Sequence, residues 1–483
     1  MPGHGFGYGY GAVGHARRAP LMAGGGTPTP TPAPDPTLPA LDAIVAHYDS
    51  AAIVPQADNT ALAAWDDISG SGAHAAQADG AKQPRYRTGG AGGRPYVAFD
   101  GTDDHLLIAA PGALRTAMDS QSYTVLAVIE GAAGGDHSCI FGVGDGGSNP
   151  WLWAGATNIG WSAVNTNARV AGAGAGFQTL GLVSEKGELL PGFNPDFKRH
   201  VYRGTLYACS TLAAGATGGG TLRIGAGLNG TAFPFKGRIY RILVWNRRLS
   251  PAELMAAEAY FCQFYSQSHP AVEHGRFLHL DGDSRTAGIG ASGDAAAGYL
   301  PYKIASGLDF PLGTYSVHAI GGIRIDQLIA KGGEIDAAAQ ALAGMDPAIA
   351  HRLIYEEYFN SRALAVGDTA TAGTLAYQTA EYLAARRAGM PGGLRIMGQS
   401  PCDHAGTSLP QPTAWAAYMQ ANRAALGLDG LADVWASAIG GEAACPDSPP
   451  YAPYWADGIH LTAAGQDVQA GVVISACNAL AGW

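Results

Sequence analysis

Charge is scarce in this sequence. Asp, Glu, Lys and Arg make up 14% of 483 residues, the formal balance is −10, and Lys and Arg form no run. That excludes nucleic acid as the main partner, because phosphate binding needs clustered cations. Long apolar runs are missing as well; none approaches the ~20 residues needed to cross a bilayer. No apolar stretch follows Arg17 and Arg18, so a secretory leader is not recognisable. The chain is therefore expected to stay inside, to leave by lysis or to use another route. Cysteine is sparse, with six residues scattered and no pair at metal-ligand spacing, which argues against zinc. Cys402 and Cys445 both follow strand-like runs, and the sequence leaves open a bridge between them or thiols left reduced.

What is abundant is glycine, 70 residues, and the length allows two or three domains. Residues 1–40 cannot form a core. Gly5-Phe6-Gly7-Tyr8-Gly9-Tyr10-Gly11 alternates glycine with aromatics, and Thr27-Pro28-Thr29-Pro30-Thr31-Pro32 must be extended. They read as a tail and spacer or as a docking arm for a larger assembly through residues 1–36. Residues 41–268 carry short alternating runs such as Tyr123-Thr124-Val125-Leu126-Ala127-Val128-Ile129, the pattern of an antiparallel sandwich. Ser250 to Ser266 has helical spacing and is expected to close it. In residues 269–483 five strand-like runs alternate with helix-like ones, the pattern of a parallel sheet covered on both faces. The expected fold is thus multidomain, an all-β sandwich followed by an α/β unit.

Chemistry concentrates in this last region. The run Phe277-Leu278-His279-Leu280-Asp281 ends in Gly282-Asp283-Ser284, a turn that would expose Ser284 at the carboxyl edge of a sheet. A serine hydroxyl needs an imidazole to take its proton and a carboxylate to orient that imidazole. Asp457 and His460, in Asp457-Gly458-Ile459-His460, could supply both from one loop.

The serine motif after the first strand-like run and the Asp/His motif before the last helix-like run resemble the first and last blocks of the SGNH (GDSL-like) hydrolase family. The resemblance covers about residues 272–483 and implies a flavodoxin-like sandwich with Ser284, Asp457 and His460 as the triad. It also implies an oxyanion hole from Ser284, Gly322 and Asn360. Gly322 closes Tyr315-Ser316-Val317-His318-Ala319-Ile320-Gly321-Gly322, and Asn360 sits in Tyr358-Phe359-Asn360-Ser361 where the family usually has Gly-x-Asn-Asp. Tyr358 and Ser361 depart from that pattern, and a bulkier pocket wall is expected.

Residues 41–268 resemble a concanavalin A-like (laminin-G-like) jelly roll, on Ala64-Trp65-Asp66-Asp67-Ile68-Ser69-Gly70, Val97-Ala98-Phe99-Asp100-Gly101-Thr102-Asp103-Asp104 and Val244-Trp245-Asn246-Arg247-Arg248-Leu249. Asp100, Asp103 and Asp104 either ligate a structural calcium or cap turns. The two resemblances together imply an esterase removing acyl groups, chiefly O-acetyl, from a surface polysaccharide, with no required cofactor. The modular order, the arm and the spacer resemble a virion tail fibre or spike, so the expected location is extracellular or virion-associated. A non-catalytic adhesin and a general lipase-like esterase are the alternatives. Arg285, Arg324 and Arg362 each trail a strand-end motif; with Tyr358 they are expected to contact substrate and to favour an acidic glycan, unless they pair with Asp326, Glu356 or Glu357.

Overall fold

The computed structural model describes residues 38–483 apart from 121, 132–137, 144–150, 155–157, 164–165, 172–175, 186–197, 203–205, 209–220, 228–229, 231, 287–298, 312, 320–321, 403–410, 441–452 and 456–459. The expected arm and spacer lie outside the described residues.

Two antiparallel sheets, of nine and eight strands among the described residues, occupy the chain up to Trp245. Their facing sides share one core: Val97, Val125, Ala127, Ile129 and Val244 come from the larger sheet, and Leu106, Ile108, Phe141, Leu222 and Ile224 from the smaller. Alternation alone would leave Leu126, Val128 and Leu243 facing water. They are instead covered by helix α1 (Pro251–Phe264), through Leu254, Ala257 and Phe261. This is why the strand Tyr123–Glu130 is buried along both faces.

Helix α1 starts where its sequence says it should. Ser250 Oγ accepts from the Glu253 N–H at 3.3 Å, Glu253 Oε2 accepts from the Ser250 N–H at 2.8 Å, and Pro251 occupies the first turn. Its far side faces the α/β layer: Met255 packs with Ala271, Phe277, Ala338, Leu342 and Ile349. The buried Arg241 guanidinium lies over the Phe264 ring at 4.5 Å and pairs with Asp49, which fixes the helix end to the larger sheet. Arg248 grips Glu334 with both terminal nitrogens, at 2.7 and 2.9 Å, tying the end of the sandwich to the α/β layer. Both layers belong to one compact unit.

The α/β layer follows, with helix α2 (Pro270–His274) leading into strand β1 (Arg276–Gly282). Next come α3 (Tyr299–Gly307), β2 (Tyr315–Val317), α4 (Ile325–Lys331), α5 (Gly333–Met345), β3 (Ala350–Glu356) and α6 (Leu375–Gly389). The chain ends with β4 (Arg395–Gln399), α7 (Gln411–Asn422), β5 (Gly430–Ala432) and α8 (Ala463–Ala479). All five strands are parallel, in the order β2-β1-β3-β4-β5. Period-2 geometry divides β1 between the faces. Leu278 and Leu280 pack with Leu300, Ile304, Ala470 and Val473 from α3 and α8. Phe277 turns the other way, and on that side Leu353, Tyr355 and Ile396 from β3 and β4 meet Leu328, Ile335, Leu375, Leu383, Trp415 and Met419 from α4 to α7.

That second face carries a polar column that the sequence reading did not single out. His279 Nε2 lies 3.1 Å from His351 Nδ1, His279 Nδ1 lies 3.4 Å from His318 Nε2, and Ser316 Oγ is 2.6 Å from the same His318 nitrogen. Further along, Asp281 accepts from Lys331 Nζ at 3.2 Å and from the Tyr382 hydroxyl at 2.5 Å, and Lys331 also donates to the His318 carbonyl. Burial, then the neighbouring histidines, holds the His279 imidazole well below its ordinary value; burial and Arg352 bring His351 down to about 4.

Candidate active site

In a sheet ordered β2-β1-β3, successive connections leave β1 in opposite directions, so a crevice opens at the carboxyl ends of β1 and β3. The expected oxyanion donors and the nucleophile lie at this edge. Ser284 is two residues past the end of β1, Gly322 five past β2 and Asn360 four past β3. Gly282 permits the turn after β1, because a Cβ there would stand 1.9 Å from the Glu356 carbonyl oxygen. Gly322 has φ +80°, a left-handed conformation that favours glycine.

His460 arrives from the other end of the chain. Leu461 pairs with Trp455 in a single antiparallel bridge, and both are buried with Cys402, Val434 and Ile439. Thr462 caps α8, accepting from the Gly465 N–H at 3.3 Å. Between these two anchors the His460 Nε2 stands 3.2 Å from Ser284 Oγ, across 176 residues of sequence. At that distance a neutral imidazole with its proton on Nδ1 can accept the serine proton. Asp457, expected to orient the ring, lies outside the described residues.

Hydrogen bonds tie the remaining parts of the edge together. Asp283 Oδ1 accepts from the Arg285 backbone N–H at 2.8 Å, and its Oδ2 from Asn360 Nδ2 at 3.3 Å. Ser361 Oγ accepts from the Ile325 N–H at 2.9 Å, so the segment bearing Asn360 holds the first turn of α4, which follows Gly322. Where the family pattern would place aspartate, this serine supplies an acceptor for an otherwise unpaired helix N-terminal donor. The sequence placed Asp283 only in the serine turn and Glu356 only as a pairing partner for the trailing arginines, and marked neither as a member of the site.

Several expectations are corrected. Tyr358 is 1% exposed and packs in the core beneath α4 to α7, so it does not form a bulkier pocket wall or a substrate contact. Two residues past the end of β3 the chain has left the strand, and there Tyr358 joins the cluster that holds Leu353 and Tyr355. Arg285 is 2% exposed rather than at a cleft mouth. Its guanidinium donates to the Cys402 carbonyl at 2.8 Å and to Cys402 Sγ at 3.2 Å, drawn inward by Asp283 and Glu356. Arg324 is half exposed but pairs with Asp326 at 3.0 and 2.9 Å, the structural alternative foreseen for it. Arg362 is partly buried two residues past Asn360. Cys139, Cys262, Cys402 and Cys477 are buried free thiols, and Cys445 lies outside the described residues.

In the sandwich, carboxylate oxygens of Asp100, Asp103 and Asp104 come within 4.8 Å of one another. An all-carboxylate donor set of this kind suits calcium. The same groups also serve the turn: Asp104 Oδ2 accepts from the Asp100 N–H at 2.9 Å and Asp100 Oδ1 from the Thr102 N–H at 2.7 Å. Burial and the flanking Asp100 and Asp103 charges push the Asp104 carboxyl up to about 6.

No protein-family model matches the sequence, and no curated protein matches it. Solved structures give slight likenesses. Trypanosoma rangeli sialidase in complex with sialic acid matches at 13% identity and TM-score 0.33, over 47% of this chain and 34% of that one. Domain 4 of AbnA, a GH43 extracellular arabinanase from Geobacillus stearothermophilus in complex with arabinotriose, matches at 14% identity and TM-score 0.32, over 45% and 98%. The Ruminococcus gnavus IT-sialidase CBM40 bound to alpha2,3 sialyllactose matches at 21% and TM-score 0.26, over 31% and 88%. This chain thus spans about a third of the length of the sialidase. Likenesses this slight carry no argument about ligand or activity. Among the described residues no helix is long and apolar enough to cross a membrane.

Proposed function

We propose that the chain is a serine esterase of SGNH type, with a flavodoxin-like α/β unit, that removes acyl groups, chiefly O-acetyl, from a polysaccharide. The observation that carries this reading is the approach of His460 Nε2 to Ser284 Oγ, 3.2 Å, at the carboxyl edge of the parallel sheet. Ser284 Oγ attacks the ester carbonyl while its proton passes to His460 Nε2. The oxyanion that forms is met by the N–H groups of Ser284 and Gly322 and by the Asn360 amide. Collapse breaks the ester bond, and His460 returns the proton to the departing sugar hydroxyl. Water then attacks the acyl-Ser284 ester by the same route in reverse, releasing the acid and restoring the serine. Asp457 is assigned to hold the His460 tautomer, on the sequence pattern.

The jelly-roll reading of the sandwich gives it the task of holding a glycan near the site. Its fixed attachment through α1 and the Arg248–Glu334 pair would keep the effective substrate concentration high. A calcium ion taken by Asp100, Asp103 and Asp104 would be structural and outside the ester chemistry. The virion-borne setting, with residues 1–36 as the attachment arm, belongs to the same reading and rests on sequence organisation. The substrate test compares 4-nitrophenyl acetate with longer acyl esters and with an acetylated polysaccharide. Preference for acetyl and release of acetate from the polysaccharide support the reading; preference for long chains would favour a lipase-like enzyme.

A further inference from the structure

Four ionisable side chains are packed behind Ser284 with almost no access to water. Asp283, Arg285, Glu356 and Glu357 are each at most 2% exposed. Three carboxylates and one guanidinium would sum to 1 − 3 = −2 in this interior, which burial strongly opposes. Protons must therefore reside on some of the carboxyls, and hydrogen-bond geometry indicates where.

Asp283 accepts at both oxygens, from the Arg285 N–H at 2.8 Å and from Asn360 Nδ2 at 3.3 Å, as a carboxylate does. Glu356 accepts from Thr286 Oγ1 at 3.2 Å with Oε2, while its buried Oε1 meets no donor among the described residues. Asp283 directly follows Gly282, the β1 partner of Glu356, and the two buried carboxyls bear on one another's charge, a repulsion that one proton shared between them removes. With Asp283 committed as an acceptor, that proton belongs to Glu356.

We propose that Glu356 is a positioning residue for the nucleophile turn: as a neutral carboxylic acid it donates a hydrogen bond to Asp283, whose oxygens then hold the Arg285 backbone and the Asn360 amide. The inference rests on the serine-esterase reading and deepens it. One Asn360 N–H is engaged by Asp283, which leaves the other for the oxyanion in the proposed reaction. Burial first, then the Asp283 charge, raises the Glu356 carboxyl well above its ordinary value, with Arg285 opposing. The groups facing Glu356 are Asp283, Arg285 and Thr286 from the turn after β1, Cys402 from the segment after β4, Tyr355 before it on β3 and Glu357 just past the strand end. His460 also lies near enough to bear on Asp283. Because the neutral form is the one present below the raised pKa, its hydrogen bond is lost as pH rises, and turnover should fall on the alkaline side.

The test uses the full chain with Glu356→Gln and Glu356→Ala, measuring kcat and KM for 4-nitrophenyl acetate from about pH 6 to about pH 10. Glutamine retains a neutral donor. It should keep kcat within about threefold at neutral pH and extend the plateau to higher pH, whereas alanine should lose about 10- to 100-fold in kcat with KM within about threefold. Equal losses in both variants, or an alanine variant with unchanged kcat and profile, overturns the proposal. Infrared difference spectra give a second readout independent of turnover. The carbonyl stretch of a protonated carboxyl should be present at neutral pH and weaken in Glu356→Gln; an unchanged band overturns the proposal. Should the wild type hydrolyse no ester, the esterase reading has failed, and the infrared result alone decides whether Glu356 carries the proton. Should the alanine variant fail to fold, the glutamine profile and the infrared band decide it.

Discussion

Replacing His351 with glutamine should flatten the acid side of the stability curve. His351 is fully buried at the edge of the histidine column, and burial with the Arg352 charge brings it from 6.5 down to about 4. A depressed histidine binds fewer protons folded than unfolded between these values. Its contribution to stability is therefore complete above about 6.5 and lost as pH falls toward about 4. Going from about pH 7.5 to about pH 5, the cost is roughly 2 kcal/mol for this residue, a substantial part of the 5–15 kcal/mol typical of a domain. His279 acts in the same direction. Glu356 and Glu357 act oppositely, since their raised carboxyls bind more protons folded and lose stability as pH rises. Wild type and His351→Gln carry the same carboxyls, so the difference between them isolates the imidazole. Urea unfolding at a series of pH values, followed by tryptophan fluorescence, should show the wild type losing about 2 kcal/mol more than the variant over this interval. Parallel curves would refute the argument that His351 is held neutral by burial.

Two further substitutions probe the edge of the sheet. Asn360→Ala should lower kcat by about 10²- to 10³-fold with a smaller effect on KM, as for a donor used mainly in the transition state; an unchanged rate would remove Asn360 from the oxyanion hole. Ser361→Ala strips the acceptor from the buried Ile325 N–H and should cost about 1 to 3 kcal/mol in thermal or urea unfolding, with no loss expected if water replaces the hydroxyl.

The sequence disclosed the alternation of strands and helices in the α/β layer, because short apolar runs such as Phe277–Asp281 are separated by long helix-like ones, the pattern of a parallel sheet covered on both faces. It disclosed the start of α1, because Ser250-Pro251-Ala252-Glu253 is a local signal that needs no tertiary context. The Ser284–His460 approach was legible only through two spaced motifs, since nothing local to either residue requires the other. Side-chain direction was less legible. Arg285 and Tyr358 look like rim residues next to a nucleophile and an oxyanion donor, yet one turns inward toward buried carboxyls and the other packs into the core once the chain has left β3. The double-sided burial of Tyr123–Glu130 depends on α1 folding back over the sheet, a long-range event that alternation within a strand does not encode. The histidine column was hidden for the same reason: His279, His318 and His351 lie 39 and 33 residues apart, in the sense 318 − 279 and 351 − 318, and meet only when β1, β2 and β3 align.

The central claim is that Ser284 is a nucleophile activated by His460. A fluorophosphonate that reacts only with activated serines, followed by peptide mass spectrometry, tests it without knowledge of the natural substrate. The account predicts a single adduct on the peptide containing Ser284, absent in Ser284→Ala and strongly slowed in His460→Ala. A wild-type protein that takes no adduct, or one that reacts at Ser284 at the same rate without His460, would contradict it.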